Sequence, residues 1–302
     1  MRNDESTGEI LNSGVIVLGS SGMLGQEVTR VFANAGLSHS NFSRQAGSPS
    51  YFEFDDQSAD EISEMLSVSP GAFVVNCIGW IPQRGTGDHV VDQANAWKLN
   101  VRLPMVLEQL AKKMEVRVLQ VATDCVFDGS TGKYLESDTP NAGDIYGKSK
   151  IAGEQSQPSA MRIRCSIIGQ DRNSSAGLFS WYKSQPKDSF VTGYANHFWN
   201  GVTTTALAKL FLGIIREGEF QSGLQHWIPL DSVSKLELLS DFRNLLGGNA
   251  ATVLSGEGES AVNRTLSTLN PLKSERYWGL AGYEKVPSVS ALVRDLVDSD
   301  PI

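Results

Sequence analysis

Cysteine is scarce in this 302-residue chain: Cys77, Cys125 and Cys165 are an odd number, widely spaced and without a CxxC pair. That usage excludes a disulfide framework and a structural zinc site, and fits a reducing compartment. The four histidines, His39, His89, His197 and His226, show no metal-ligand spacing, so no metal is expected. No apolar run approaches the ~20 residues of a membrane span. Excess positive charge is also lacking. The chain has 26 Lys and Arg against 34 Asp and Glu, a formal charge of −8. This excludes broad electrostatic binding to a nucleic acid polymer or an anionic membrane. Any anionic partner must be held by local charge. The opening MRNDESTGEILNS is polar and acidic, unlike a signal peptide, so a cytoplasmic protein is expected. Internal repeats and low-complexity tracts are missing too.

What is present is an alternation of short apolar runs and helical periodicities, the pattern of βα units and a parallel sheet. Val15–Leu18 reads as a buried strand. A helix follows from about Met23 to Ala35, with Leu24, Val28, Val31 and Phe32 on one face. Further strands are predicted near His39–Ser43, at Tyr51–Phe54, Phe73–Ile78, Val116–Thr123 and Met161–Ile168. A long helix is predicted over Ala94–Met114 and another from about Tyr146. After Gly169 the alternation lapses. Helical patterns recur at Thr203–Glu217 and Ser232–Leu246, with an extended stretch at Leu224–Pro229 and a Gly/Ala/Ser-rich loop at Asn249–Glu259. The expected fold class is α/β, a Rossmann-type doubly wound parallel sheet with a smaller α/β substrate-binding lobe. Residues 1–13 form a polar extension, 14–170 the NAD(P)-binding domain and 171–302 mainly the lobe, with some segments returning to the first domain.

Between the first strand and first helix lies Gly19-Ser20-Ser21-Gly22-Met23-Leu24-Gly25, a GxxGxxG turn. Glycines permit close backbone approach to a pyrophosphate, and the helix amino terminus offers it free N–H groups and partial positive charge. The end of the second strand meets the adenosine ribose, where an acid favours NAD and a base accommodates the 2′-phosphate of NADP. Ser43-Arg44 stands there, so Arg44 reads as a 2′-phosphate contact, against the alternative of a solvated arginine. Asp55 and Asp56 either sit by the adenine or form a helix N-cap pair.

Tyr146-Gly147-Lys148-Ser149-Lys150 is YxxxK, which puts phenol and ammonium on one helical face. A phenol titrates near pH 10. A neighbouring ammonium is expected to lower that value, letting Tyr146 hand a proton to a developing alkoxide. Lys150 can also hydrogen-bond a nicotinamide ribose. Thr123, at the end of a buried strand, can donate to the same carbonyl and polarise it for hydride attack.

With these elements in order, the chain resembles the extended short-chain dehydrogenase/reductases. Thr123-Asp124-Cys125-Val126-Phe127-Asp128-Gly129 is similar to the T-D-Y-V-F-D-G signature of the dTDP-4-dehydrorhamnose reductase family, and Tyr134, Glu136, Pro140, Tyr146–Lys150 and Gly153-Glu154 continue the pattern. Asn76-Cys77-Ile78-Gly79 resembles the N-x-A-A segment below the nicotinamide, and Asn100 matches the structural Asn of the central helix. The resemblance implies a catalytic triad of Thr123, Tyr146 and Lys150. It implies cofactor contacts from Gly19, Ser21, Gly22, Met23, Leu24, Gly25, Cys77, Gly79, Trp80 and Asn100, with Asp124 and the position of Ile167 facing substrate. The reaction implied is reduction of a 4-keto-6-deoxy nucleotide sugar, using NADPH with NADH as the other reductant. The chain departs from the pattern at Cys125, where the family has Tyr, at Ile167 in place of a stacking Trp, and at Trp80-Ile81 in place of His-Thr.

Two alternatives stay open: a nucleotide-sugar 4-epimerase, and a non-catalytic, cofactor-binding regulatory subunit. A 4,6-dehydratase is disfavoured because Asp124-Cys125 lacks the Glu that elimination needs. Arg84, Lys148 and Arg264 are candidates for a substrate diphosphate, and Tyr194, His197, Phe198 and Trp199 for a base-stacking surface. His226, in a G-x-x-H pattern, reads as structural. A nucleotide sugar is the expected small-molecule partner, and a homodimer is left open.

Overall fold

The computed structural model describes residues 14–299; the polar extension at 1–13 lies outside them. Five strands of the first half, β1 (Val15–Leu18), β2 (Ser40–Phe42), β3 (Phe73–Asn76), β4 (Arg117–Ala122) and β5 (Met161–Arg164), share one parallel sheet. A sixth, β10 (Gly223–His226), joins from the second half, giving the order β10-β5-β4-β3-β1-β2. Strand side chains alternate between faces, and here both faces are apolar. Val15 and Val17 enter one core layer while Ile16 and Leu18 enter the other. The first layer is capped by α1 (Met23–Asn34) and α7 (Thr204–Glu217), the second by α2 (Ala59–Met65) and α4 (Leu103–Met114). Each fully buried Val, Leu or Ile in these layers contributes about 1.5–3 kcal/mol.

The predicted strand at Tyr51–Phe54 is not part of the sheet. Its only ladder contact is the single bridge Ser43–Tyr51. Its alternation instead serves packing, because Phe52 and Phe54 bury into the second core layer. The long helix predicted over Ala94–Met114 is three pieces: α3 (His89–Trp97), a π-helical turn at Lys98–Arg102, and α4. Pro104 explains part of the break, since it lacks the N–H that would bond the Asn100 carbonyl one turn earlier. The predicted strand Met161–Ile168 also divides. After β5, Ile167–Ile168 (β6) leaves the sheet and pairs with Val202–Thr203 (β9).

The remaining elements are α5 (Ile145–Gln155), α6 (Leu178–Lys183), α8 (Lys235–Leu246), α9 (Pro271–Leu280), α10 (Val289–Asp298) and strands β7 (Phe190–Tyr194), β8 (His197–Trp199), β11 (Val233–Ser234), β12 (Thr252–Gly256) and β13 (Val262–Asn263). A separate core of Phe179, Tyr182, Trp199, Leu238, Phe242 and Val293 holds the lobe together. The segment read as a Gly/Ala/Ser-rich loop contains β12, which pairs in parallel with β7 from Thr252–Phe190 to Gly256–Tyr194. Composition hid it; the ladder partner lies some sixty positions back in the chain. No helix among the described residues is long and apolar enough to cross a membrane.

Candidate active site

The glycine turn is built by close approach. Gly19 has φ +76°, and a Cβ there would sit 2.9 Å from Ile78 Cγ1. At Gly25 a Cβ would come 2.1 Å from the Gly19 carbonyl oxygen, so any side chain would break the turn. Gly22 is the N-cap of α1, and no side chain caps the helix there. The backbone N–H groups of the first turn therefore face the crevice at the carboxyl ends of the strands, where an open α/β sheet binds ligands.

Two adjoining cavities meet at this turn. One, of about 190 Å³, is lined by Gly22, Met23, Leu24, Cys77, Gly79, Trp80, Asn100, Thr123, Tyr146, Lys150 and Ile167. The other, of about 140 Å³, is lined by Gly19, Ser21, Gly22, Arg44, Phe54, Cys77 and Gly79 among others. The structure thus brings together most of the residues singled out from the sequence. Gly25 supports the turn without lining either cavity. Asp124 is buried behind Thr123, whose hydroxyl donates to its carboxylate at 3.3 Å. Asp55 and Asp56 line neither cavity: they pair with Lys98 and Arg102, each at 3.1 Å. Nor do they cap a helix, because Ser58 and Glu61 form the capping box of α2. Lys148 is exposed and Arg264 donates to the Phe127 carbonyl oxygen at 2.9 Å, so of the three basic candidates Arg84 lines the cleft.

Asn100 organises the cleft wall that carries Trp80, Tyr146 and Lys150. Its Oδ1 accepts from the Trp80 N–H at 2.9 Å, and its Nδ2 donates to the Trp80 carbonyl oxygen and to Ser149 Oγ. A Cβ on Gly153 would lie 1.8 Å from the Asn100 carbonyl oxygen, so α5 rests directly on the π-helical turn. That contact sets where Tyr146 and Lys150 stand. Lys150 Nζ donates to the Val121 carbonyl oxygen at 3.2 Å, and the Trp80 and Tyr146 rings lie 6.5 Å apart.

Burial dominates the electrostatics. The Tyr146 phenol is pushed well above its ordinary value by burial, with Cys125, Asp124 and Asp144 adding to the rise and the Thr123 hydroxyl opposing it. The expected lowering by Lys150 is therefore not realised: the ammonium is spent on Val121, and its own pKa is lowered by burial against the pull of Glu154 and Cys125. Burial also lifts the Cys77 and Cys125 thiols to about 12, which makes both neutral, small apolar groups. Asp124 is raised by burial, with Lys235 and Arg264 opposing. Lys235, at the first position of α8 and 5.4 Å above the Trp199 ring, has no motif to announce it. Glu53 is likewise new: it faces Arg44 at 3.9 Å and accepts from the Tyr51 hydroxyl at 2.6 Å. Among the described residues no group of three or more His, Cys, Asp or Glu is arranged to hold a metal ion.

This geometry can be set beside known proteins. A family model described as the RmlD substrate binding domain matches residues 13–247. The chain belongs to that family. A dTDP-4-dehydrorhamnose reductase of Streptomyces griseus is 30% identical over 141 residues, 46% of this chain and 43% of that protein. The match thus spans less than half of that relative's length. A probable low-salt glycan biosynthesis reductase of Haloferax volcanii is 27% identical over 258 residues, covering 79% of this chain and 82% of its own. Among solved structures, a dTDP-4-dehydrorhamnose reductase from Bacillus anthracis in complex with NADP superposes with a TM-score of 0.73 at 16% identity, covering 95% of this chain and 99% of that one. At that identity the likeness concerns the fold, which is the Rossmann-type α/β class expected from the sequence.

Proposed function

We propose that the protein is an NADPH-dependent reductase of a 4-keto-6-deoxy nucleotide sugar, with NADH as the second reductant. The observation that carries this reading is one cavity wall shared by Thr123, Tyr146 and Lys150 and by the glycine-turn residues Gly22, Met23 and Leu24. Membership of the RmlD substrate binding domain family supports the substrate class. The site fits a dinucleotide: Gly25 lets the turn close against the Gly19 carbonyl, where any Cβ would clash, and the α1 amino terminus has no side-chain cap. When bound, the reduced nicotinamide supplies the hydride for the C4 carbonyl. Thr123 and Tyr146 hold the carbonyl oxygen, and Tyr146, protonated because burial keeps its proton on, delivers that proton as the oxygen gains charge. Lys150, held by the Val121 carbonyl oxygen and lining the same cavity, would hydrogen-bond the ribose of the nicotinamide.

A 4,6-dehydratase is disfavoured, because Cys125 stands where its Glu would be and a thiol pushed up to about 12 is no acid-base substitute at neutral pH. Tyr146→Phe tests the assignment: turnover of a 4-keto nucleotide sugar should fall at least about 10²-fold, with NADPH binding retained. Undiminished turnover would sink it. Wild-type protein that binds NADPH yet oxidises none of it with any such sugar would point instead to a regulatory subunit.

A further inference from the structure

Arg84 takes no part in the carbonyl chemistry, yet it stands at the centre of the cleft. It ends a 3₁₀ turn, Pro82–Arg84, that follows β3, and it lines both cavities as well as the outer funnel formed with Ser21, Arg44 and Asn173. The diphosphate of a dinucleotide joins its two nucleosides. A cation bordering both cavities and the shared Gly22 therefore borders the diphosphate path. A guanidinium carries five N–H donors; here Nη2 donates to Asp171 Oδ2 at 2.7 Å.

Asp171 is itself fixed. Its side chain is 2% exposed against 41% for that of Arg84, and it accepts from Ser174 Oγ at 2.7 Å and the Asn173 N–H at 3.0 Å. Burial raises its pKa, but these two donors and Arg84 outweigh that and hold the carboxylate below its ordinary value. The same segment reaches the other lip of the crevice. Asn173 Nδ2 donates to the Ser21 carbonyl oxygen at 2.8 Å, and a Cβ on Gly177 would stand 3.0 Å from Met23 Sδ. Residues 171–177 thus run from the loop after β3 to the glycine turn after β1.

We propose that Asp171 is a positioning residue that aims Arg84 at the cofactor diphosphate, and that the Arg84–Asp171 pair straps residues 171–177 across the bound dinucleotide so that its release requires the pair to part. The proposal rests on the cofactor reading of the cleft and not on which sugar is reduced. The test follows NADPH fluorescence on rapid mixing with the full chain, without any sugar. Asp171→Asn and Arg84→Ala should each speed NADPH release about tenfold or more, the scale of a lost charge-assisted hydrogen bond, with association little changed. The double variant should release no faster than Arg84→Ala alone, because Asp171 acts through Arg84. Two fragments separate aiming from general damage. Affinity for 2′-phospho-ADP-ribose, which has the diphosphate, should fall, while affinity for adenosine 2′,5′-bisphosphate, which lacks it, should hold. Unchanged release rates, additive losses, or equal weakening of both fragments would overturn the proposal. Arg84 is half-exposed, so its variant keeps the test alive if Asp171→Asn fails to fold. Wild-type protein that binds no NADPH would overturn the cofactor reading itself, an outcome distinct from unchanged release.

Discussion

Tyr146 and Lys150 face one another across a single helical turn, and spacing alone predicts that the ammonium draws the phenol's pKa down. Packing reverses that outcome. The cost of burying a phenolate dominates, and the lysine, bonded to a backbone carbonyl, does not offset it. The phenol therefore stays protonated at neutral pH, but the raised pKa makes it a weaker acid, so the transfer depends on the charge that develops on the carbonyl oxygen. Beside Arg44 the sequence shows no acid, because Glu53 arrives only when the chain doubles back through the Ser43–Tyr51 bridge. The same distance in sequence conceals Lys235 and Asp171, which carry no motif and take meaning from neighbours on other segments. Arg44 is the residue whose loss should separate the cofactors. Arg44→Ala should weaken NADPH about tenfold, the worth of one charge-assisted phosphate contact, and leave NADH nearly unaffected in fluorescence titrations. Equal losses for both would remove Arg44 from the 2′-phosphate.

Among elements, those with strong periodicity and local turn chemistry were legible: β1 with its glycine turn, β3, β4, and the helix bearing YxxxK all stand within a residue or two of expectation. Those that failed were decided by partners. Tyr51–Phe54 alternates as a strand does, yet spends its aromatics on the core; Thr252–Gly256 looks like a loop, yet finds a ladder in β7. The π-helical turn was signalled only by Pro104 within an apparently continuous helix. Its worth can be measured through Gly153, whose hydrogen faces the Asn100 carbonyl. Gly153→Ala should cost at least about 1–3 kcal/mol in chemical denaturation, as overpacking does, and lower kcat by shifting Lys150. Gly279→Ala, with open space around its Cβ position, is the matched control: in a helix it should be neutral or stabilising by up to about 1 kcal/mol. Matching melts for the two variants would show that the close approach has no energetic consequence.

At the scale of the whole molecule, the −8 charge excluded polymers and membranes but said nothing of the small anions that a local amino terminus and a few placed bases can hold. One buried group contributes a defined pH response. His226 is fully buried, with Nε2 2.8 Å from Arg164 Nη1 and Nδ1 2.7 Å from the Ser267 carbonyl oxygen. Arg164 has only donors, so Nε2 accepts and Nδ1–H donates. Burial, aided by Arg164, lowers the His226 pKa to about 4 from 6.5. Between those values the unfolded chain binds the extra proton and the folded chain does not, so stability is full above about pH 6.5 and declines as pH falls towards 4. Roughly 3 kcal/mol is at stake over that window. Unfolding free energies from denaturant at pH 7 and pH 5 should differ by about 2 kcal/mol of that, and His226→Gln should flatten the difference; an undiminished difference in that variant would assign it elsewhere.

β10 also bears on how the molecule is made. A ribosome that has just finished β5 has produced Thr123, Tyr146 and Lys150, but the outer backbone of Met161–Arg164 has no neighbour until Gly223–His226 is synthesised. During that interval the nascent sheet ends in an open edge, the feature that invites pairing with other chains. Arg164, which meets its histidine only on that strand, waits with it. The sheet therefore gains its sixth strand only once the second half is translated, and the last strand to arrive becomes its outer edge.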